Sequence, residues 1–168
     1  MAIALNTSIQ LKLNALETNT EDLVTAEAPF NFNKVITLVN GVVADAADVI
    51  WTDTRTLATA TTEDIDLTGG GLVDAFANVV AFVKVKAIIV YSRVANTTTL
   101  SIGGDANSVP FFGAAADFVD VKPGGLFVLV DPTLAGYAVA AGATDIVQVA
   151  NSAGASATYD ILIVGTSA

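Results

Sequence analysis

From residue 29 onward the chain is a series of short β-branched and apolar runs cut by turn signals. Each run is about 4–8 residues, and the turns recur roughly every 8–12 residues. Thr68-Gly69-Gly70-Gly71, Gly103-Gly104-Asp105, Lys122-Pro123-Gly124-Gly125, Asp131-Pro132, Gly142-Ala143-Thr144-Asp145 and Asn151-Ser152-Ala153-Gly154 are such breaks. No helical period of useful length occurs after residue 30. A chain that alternates strand and turn this quickly is restricted to an antiparallel sandwich or barrel. About eight to ten strands over about 135 residues fit a jelly-roll best. The expected fold is therefore all-β, an antiparallel β-sandwich of jelly-roll type over residues 29–168, preceded by an N-terminal arm or linker over residues 1–28.

The longest uninterrupted run is Val79 to Val90, with neither Gly nor Pro. It reads as one core strand. Lys84 and Lys86, two apart, are expected on one face, with Val83, Val85 and Ala87 on the other. From Ala87 to Tyr91 the alternation gives way to continuous apolar residues, as in a strand covered on both faces. Thr98 to Ile102 is expected as its partner strand, and Leu126 to Val130 as the strand returning from the turn at Lys122. In the last strand, Ala157, Tyr159, Ile161 and Ile163 share one face, and Asp160, Leu162 and Val164 the other. Asn40-Gly41 reads as a hairpin turn or a bulge in the run Val35 to Val43. Val109 to Phe112 is a short apolar piece that Pro110 confines to an edge or a strand start.

The first 28 residues differ. Ile9, Leu11 and Leu13 alternate as in a strand, yet Thr7 or Ser8 also suits the cap of a short helix through Leu16. Both readings stand at this level. Glu17 to Glu27 is acidic and Thr-rich and reads as a linker, or as a mobile arm reaching over a neighbouring subunit. The opening Met1 to Ser8 has no basic segment followed by an apolar run, so it is not read as a secretory signal.

Charge narrows the partners. The net charge is −10, from 7 basic and 17 acidic residues. Nucleic-acid binding needs clustered Lys and Arg to displace counterions, and no such cluster exists. An anionic membrane surface is disfavoured for the same reason. Charged residues make up only 14% of the chain and apolar ones 53%. A free-standing surface is usually about 25–35% charged, so part of this surface is expected to be covered by other chains.

The same inventory limits chemistry. There is no Cys and no His, which removes thiolates, imidazole ligands and the commonest general base. A Ser-His-Asp triad is excluded. The glycine run at 68–71 lacks the Lys-Ser/Thr of a phosphate loop and lies between strands. Asp64/Asp66, Asp45/Asp48 and Asp117/Asp120 are carboxylate pairs of the kind a glycosidase needs across a cleft, but acids at strand edges are more often solvated. Asp105, Asn107 and Asp64 are oxygen ligands available to a calcium ion. No cofactor is expected, and neither is enzymatic activity. Trp51, Tyr91 and Tyr137 are the aromatic side chains from which a carbohydrate platform would be built.

Beyond residue 63 the order of motifs resembles a known group of proteins. Asp64-Ile65-Asp66-Leu67-Thr68-Gly69-Gly70-Gly71-Leu72-Val73-Asp74-Ala75-Phe76 is followed by Phe82-Val83-Lys84-Val85-Lys86-Ala87-Ile88-Ile89-Val90. Then come Thr99-Leu100-Ser101-Ile102-Gly103-Gly104-Asp105-Ala106-Asn107 and Val121-Lys122-Pro123-Gly124-Gly125-Leu126-Phe127-Val128-Leu129-Val130-Asp131-Pro132. Ala135-Gly136-Tyr137-Ala138-Val139 and Thr158-Tyr159-Asp160-Ile161-Leu162-Ile163-Val164-Gly165 close the set. As a set these resemble small virion proteins of tailed bacteriophages that decorate or cement the capsid. The resemblance implies a jelly-roll or related β-fold, a homotrimer, and the major capsid protein as partner. It also implies a place on the capsid surface of the virion after synthesis in the host cytoplasm. A tail, baseplate or fibre component is the alternative within the virion, and a carbohydrate-binding β-sandwich the alternative of another class. Lys84, Lys86 and Trp51 are the candidate interface residues. The lysine face is expected to meet acids, either Asp64/Asp66 or those of a neighbour.

Overall fold

The computed structural model describes residues 4–69 and 71–168. Met1, Ala2 and Ile3 at the head of the expected arm, and Gly70 in the expected glycine turn, lie outside the described residues. Fourteen strands follow in chain order, with no helix among the described residues. They are β1 (Thr7–Thr20), β2 (Thr25–Asn40), β3 (Ala46–Ala47), β4 (Val49–Leu57), β5 (Thr62–Asp66), β6 (Leu72–Val73) and β7 (Val79–Val80). After these come β8 (Lys84–Ser92), β9 (Leu100–Gly103), β10 (Phe118–Val121), β11 (Leu126–Val130), β12 (Tyr137–Ala138), β13 (Ile146–Asn151) and β14 (Ala157–Thr166).

Two sheets form a sandwich. One has the order β11-β8-β14-β4, with β12 also pairing with β8; the other has the order β10-β9-β13-β5. All pairings in both are antiparallel. Between them lies a core that includes Val85, Ile88, Val90, Leu100, Ile102, Val147, Val149, Tyr159, Ile161 and Ile163, each nearly or wholly buried. The expected faces of the last strand are observed. Ala157, Tyr159, Ile161 and Ile163 point into the core, and Asp160 and Leu162 sit half-buried on the other face. The Thr-rich run Thr52 to Thr56 lies on β4, an edge strand, where hydroxyls meet water.

Several expected pairings are corrected. Thr98 to Ile102 does not partner the strand of Val79 to Val90. Its strand part, β9, sits in the opposite sheet between β10 and β13. Leu126 to Val130 does not return beside β10 either, because the turn at Lys122 to Gly125 carries the chain across to β8 of the other sheet. An alternating strand reveals which of its faces is buried, but both inner faces of a sandwich are buried alike. Val109 to Phe112 is not a strand. It is a loop whose Phe111 and Phe112 rings stack edge-on near Tyr137 and Phe127.

Val79 to Val90 is also not one strand. β7 ends at Val80, and β8 begins at Lys84. Within β8 a bulge changes the faces. On β14, Val164 opposes Ala87 and the next residue, Gly165, opposes Val85, which leaves Lys86 as the extra residue. Val85 and Ile88 therefore both enter the main core, while Ala87 joins a second cluster on the back of the sheet. This overturns the expected sharing of a face by Val85 and Ala87. Gly165 belongs to this device, since a Cβ there would overlap the Lys84 carbonyl oxygen and the Phe82 ring.

The N-terminal segment is a long hairpin. β1 and β2 pair antiparallel in unbroken register from Thr7↔Leu38 to Thr20↔Thr25. Ile9, Leu11 and Leu13 thus follow the strand reading, not the helical one. β2 crosses residue 28 without a break and continues to Asn40. Glu21 to Val24 forms the turn, where the Glu21 amide donates to the Val24 carbonyl at 2.9 Å.

Candidate interaction surface

Cross-strand register gives the hairpin two unlike faces. One carries the pairs Ile9–Ile36, Leu11–Lys34, Leu13–Phe32, Ala15–Phe30 and Glu17–Ala28. The other carries Ser8–Thr37, Gln10–Val35, Lys12–Asn33 and Asn14–Asn31, with Gln10 Nε2 donating to Asn33 Oδ1 at 3.0 Å. Leu16–Pro29 interrupts this second face, which is otherwise mostly polar, so the ribbon is greasier on the first side than on the other.

The base of the greasy side is covered by the chain itself. Leu38 is fully buried, and Leu5, Ile9 and Ile36 pack around it against Ala47, Ala87, Val164, Ile50 and Val130. Polar anchors hold this base. β3 pairs parallel with β2, the Asp45 amide donates to the Pro132 carbonyl at 2.8 Å, and the Asp48 amide donates to the Gly165 carbonyl at 3.1 Å. Beyond the base the cover ends. Leu11, Leu13, Phe30 and Phe32 are 63%, 54%, 57% and 44% exposed, and Leu23 at the tip is 99% exposed. Scattered apolar surface is ordinary, but a contiguous strip of this size is on the order of the few hundred Å² that mark an interaction site.

The residues singled out from sequence lie elsewhere, and most are occupied within the chain. Lys86 is fully buried, and its ammonium donates to the Thr133 carbonyl. Burial, followed by Lys84, pulls its pKa below the ordinary lysine value, against the upward pull of Asp131 and Asp45. The acids that act on it are thus Asp131 and Asp45, not Asp64/Asp66, whose strand β5 belongs to the other sheet. Lys84 is half-buried at the end of β8. Trp51 is only 4% exposed. The Arg55 guanidinium lies 5.9 Å from its ring centroid, which is a cation–π arrangement. The side chains of Lys86 and Trp51, both expected at an interface, are thus already covered by this chain. The same burial removes Trp51 as a sugar platform. Tyr137 is half-buried, with its ring 5.2 Å from Phe111.

Beside Trp51 lies a polar pocket lined by Asp53, Arg55, Asp64, Asp66 and Leu72. Arg55 bridges Asp53 and Glu63, each at 2.9 Å, and Tyr159 donates its hydroxyl to Glu63. The Arg55 pKa is raised chiefly by its bond to Glu63. The Tyr159 hydroxyl is held well above its ordinary value by burial and then by Glu63. The carboxylate pairs are likewise engaged locally. Asp64 accepts from Gln148 at 2.8 Å. Asp66 accepts the Thr68 and Gly69 amides at 2.7 and 2.6 Å, which lowers its pKa. Asp48 takes the Ser167 amide, Asp117 the Ala114 amide, and Asp120 the Ser101 hydroxyl. Asp105 caps the Asn107 amide at 2.7 Å. These acids close turns and cross-links. Among the described residues no three His, Cys, Asp or Glu side chains come together as a metal site would need.

The hairpin surface was within reach of sequence reasoning. Phe30 and Phe32 alternate, as Ile9, Leu11 and Leu13 do, and the acidic pair Glu21-Asp22 lies between the two runs as a turn. Reading Glu17 to Glu27 as a linker separated the two halves of one element. Comparison with known proteins adds no family: no family model matches the chain, and neither does a curated protein or a solved structure.

Proposed function

We propose that this chain is a non-enzymatic structural protein of a virion, a capsid cement protein that binds the head shell as a homotrimer. The observation that carries the reading is the two-faced hairpin, whose apolar side has no partner among the described residues beyond its base. Such a surface is built for a protein partner, and the low charge of the chain fits the same use. The motif resemblance over residues 63–168 supplies the class. The two sheet orders support the jelly-roll part of this reading: β4 and β14 lie beside each other in one sheet, β5 and β13 in the other, and the chain crosses between sheets from β4 to β5, β8 to β9, β10 to β11 and β13 to β14.

Cementing needs no reaction. Copies that bind the closed shell and not its broken form stabilise it by mass action, by about 2.7 kcal/mol per site at a free concentration of 100 Kd. A trimer multiplies weak docking faces by avidity. The test is to add purified protein to shells that lack it. Binding with a raised shell melting temperature is the expected result. Failure to bind heads, with co-purification on tails, would replace this reading with a tail or baseplate component.

A further inference from the structure

The outer face of the five-stranded sheet has the complement of the hairpin's free side. One row across it, Val130-Ala87-Val164-Ile50, is the floor on which the hairpin base already packs. The next row, Val128-Ile89-Leu162-Thr52, has the same apolar character over three of its four positions. Its own hairpin leaves it uncovered: Val128 is 42% exposed, Ile89 and Leu162 are partly exposed, and Leu13 and Phe32 are open as well. We propose that the distal apolar face of the hairpin lies on this second row of another copy of the same chain.

Three observations favour a second copy as occupant. The contact repeats, one row over, a packing of the same two surfaces that the fold already contains. The hairpin has the reach: the eleven residue steps from Ile9 to Thr20 extend about 36 Å at about 3.3 Å each. Charge then sets the arrangement. The outer half of the hairpin carries Glu17, Glu21, Asp22 and Glu27 and no basic residue, so two hairpins packed tip to tip would repel. The sheet end beyond Tyr91 instead pairs Arg93 with Asp160 at 2.7 Å, and the turn holding Lys122 lies against it, with the Gly124 amide donating to the Ser92 carbonyl at 2.9 Å, so this end repels an acidic tip less than a second tip would. An arm-to-sheet contact is heterologous and closes into a ring when the rotation allows. Closure at three copies rests on the cement reading above; the contact itself does not.

The chain has no Cys, which makes the test clean. Leu13→Cys and Leu162→Cys are prepared as separate proteins, mixed, and treated with a short bismaleimide. The expected product is a dimer containing one of each, with little linkage in either protein alone. Light scattering should then show that wild type is an oligomer and that the Leu13→Asp/Phe32→Asp double variant is a monomer. Both sites are exposed, so an unchanged far-UV circular dichroism spectrum is expected of the variant. Linkage only between two Leu13→Cys copies, a monomeric wild type, or an oligomer unchanged by the double variant would overturn the proposal. Cross-linking of Leu13→Cys to shell protein in place of a second copy would overturn it too. Loss of shell binding with the mixed dimer retained would sink only the cement reading.

Discussion

At the scale of single residues, the strongest constraints are places where one atom has no alternative. Gly165 stands opposite the bulge in β8, and any side chain there would meet the Lys84 carbonyl oxygen and Phe82. Gly165→Ala is expected to cost about 2 kcal/mol or more, as overpacking in a dense core does, measured by urea unfolding. Tyr159 gives a pH signature. Its folded pKa is raised above the free value of about 10, so its contribution is complete below that pH and is lost as the pH rises further. Wild type should lose more stability between pH 8 and pH 11 than Tyr159→Phe, and the variant should cost about 1 kcal/mol at pH 7. Lys86 titrates in the opposite sense in both proteins, so the comparison removes its effect. Equal slopes for the two proteins would show that burial and Glu63 together do not hold the proton on the Tyr159 hydroxyl.

At the scale of elements, the hairpin is two structures in one. Its base belongs to a cluster with Leu38 at the centre, whereas its outer half touches little of the chain. Leu38→Ala should therefore cost about 2–5 kcal/mol, while Leu13→Ala, measured at a dilution where the chain is monomeric, should leave the unfolding free energy within about 0.5 kcal/mol. Limited proteolysis by a glutamate-specific protease should nick first at Glu21 in the exposed turn and leave the sandwich intact, read by mass spectrometry. A first cut inside residues 62–166 would contradict this division. The hairpin was half legible. Period-two alternation is visible in Ile9, Leu11 and Leu13 and again in Phe30 and Phe32, but their register depends on a turn whose residues, Glu21 to Val24, carry no Gly or Asn-Gly signature.

At the scale of the whole molecule, the pairing is remote in sequence. β4 and β14 join Leu57 to Ala157 and Val49 to Gly165, and β5 joins β13 across a similar gap. Closing loops of about a hundred residues precedes most of the stabilisation, so refolding should take milliseconds to seconds or longer, read by stopped-flow fluorescence of Trp51. The acidic surface, with a net charge of −10, keeps free chains apart except where the apolar hairpin and sheet faces meet.

Local order was decided by the sequence alone: the absence of helix after residue 30 among the described residues, the turns at Lys122 and Asn151, and the two faces of β14. Each depends on side-chain period or on the conformational freedom of Gly, Pro and Asn, which act within a few residues. The tertiary structure decided what depends on distant partners. β9 and β11 change sheets because both inner faces of a sandwich reward the same alternation. Lys86 is buried because Gly165, far along the chain, admits a bulge. Trp51 is closed off because it packs in the core between the sheets, and the hairpin's outer side stays bare because the cluster around Leu38 stops at Ile9 and Ile36, short of Leu11 and Leu13.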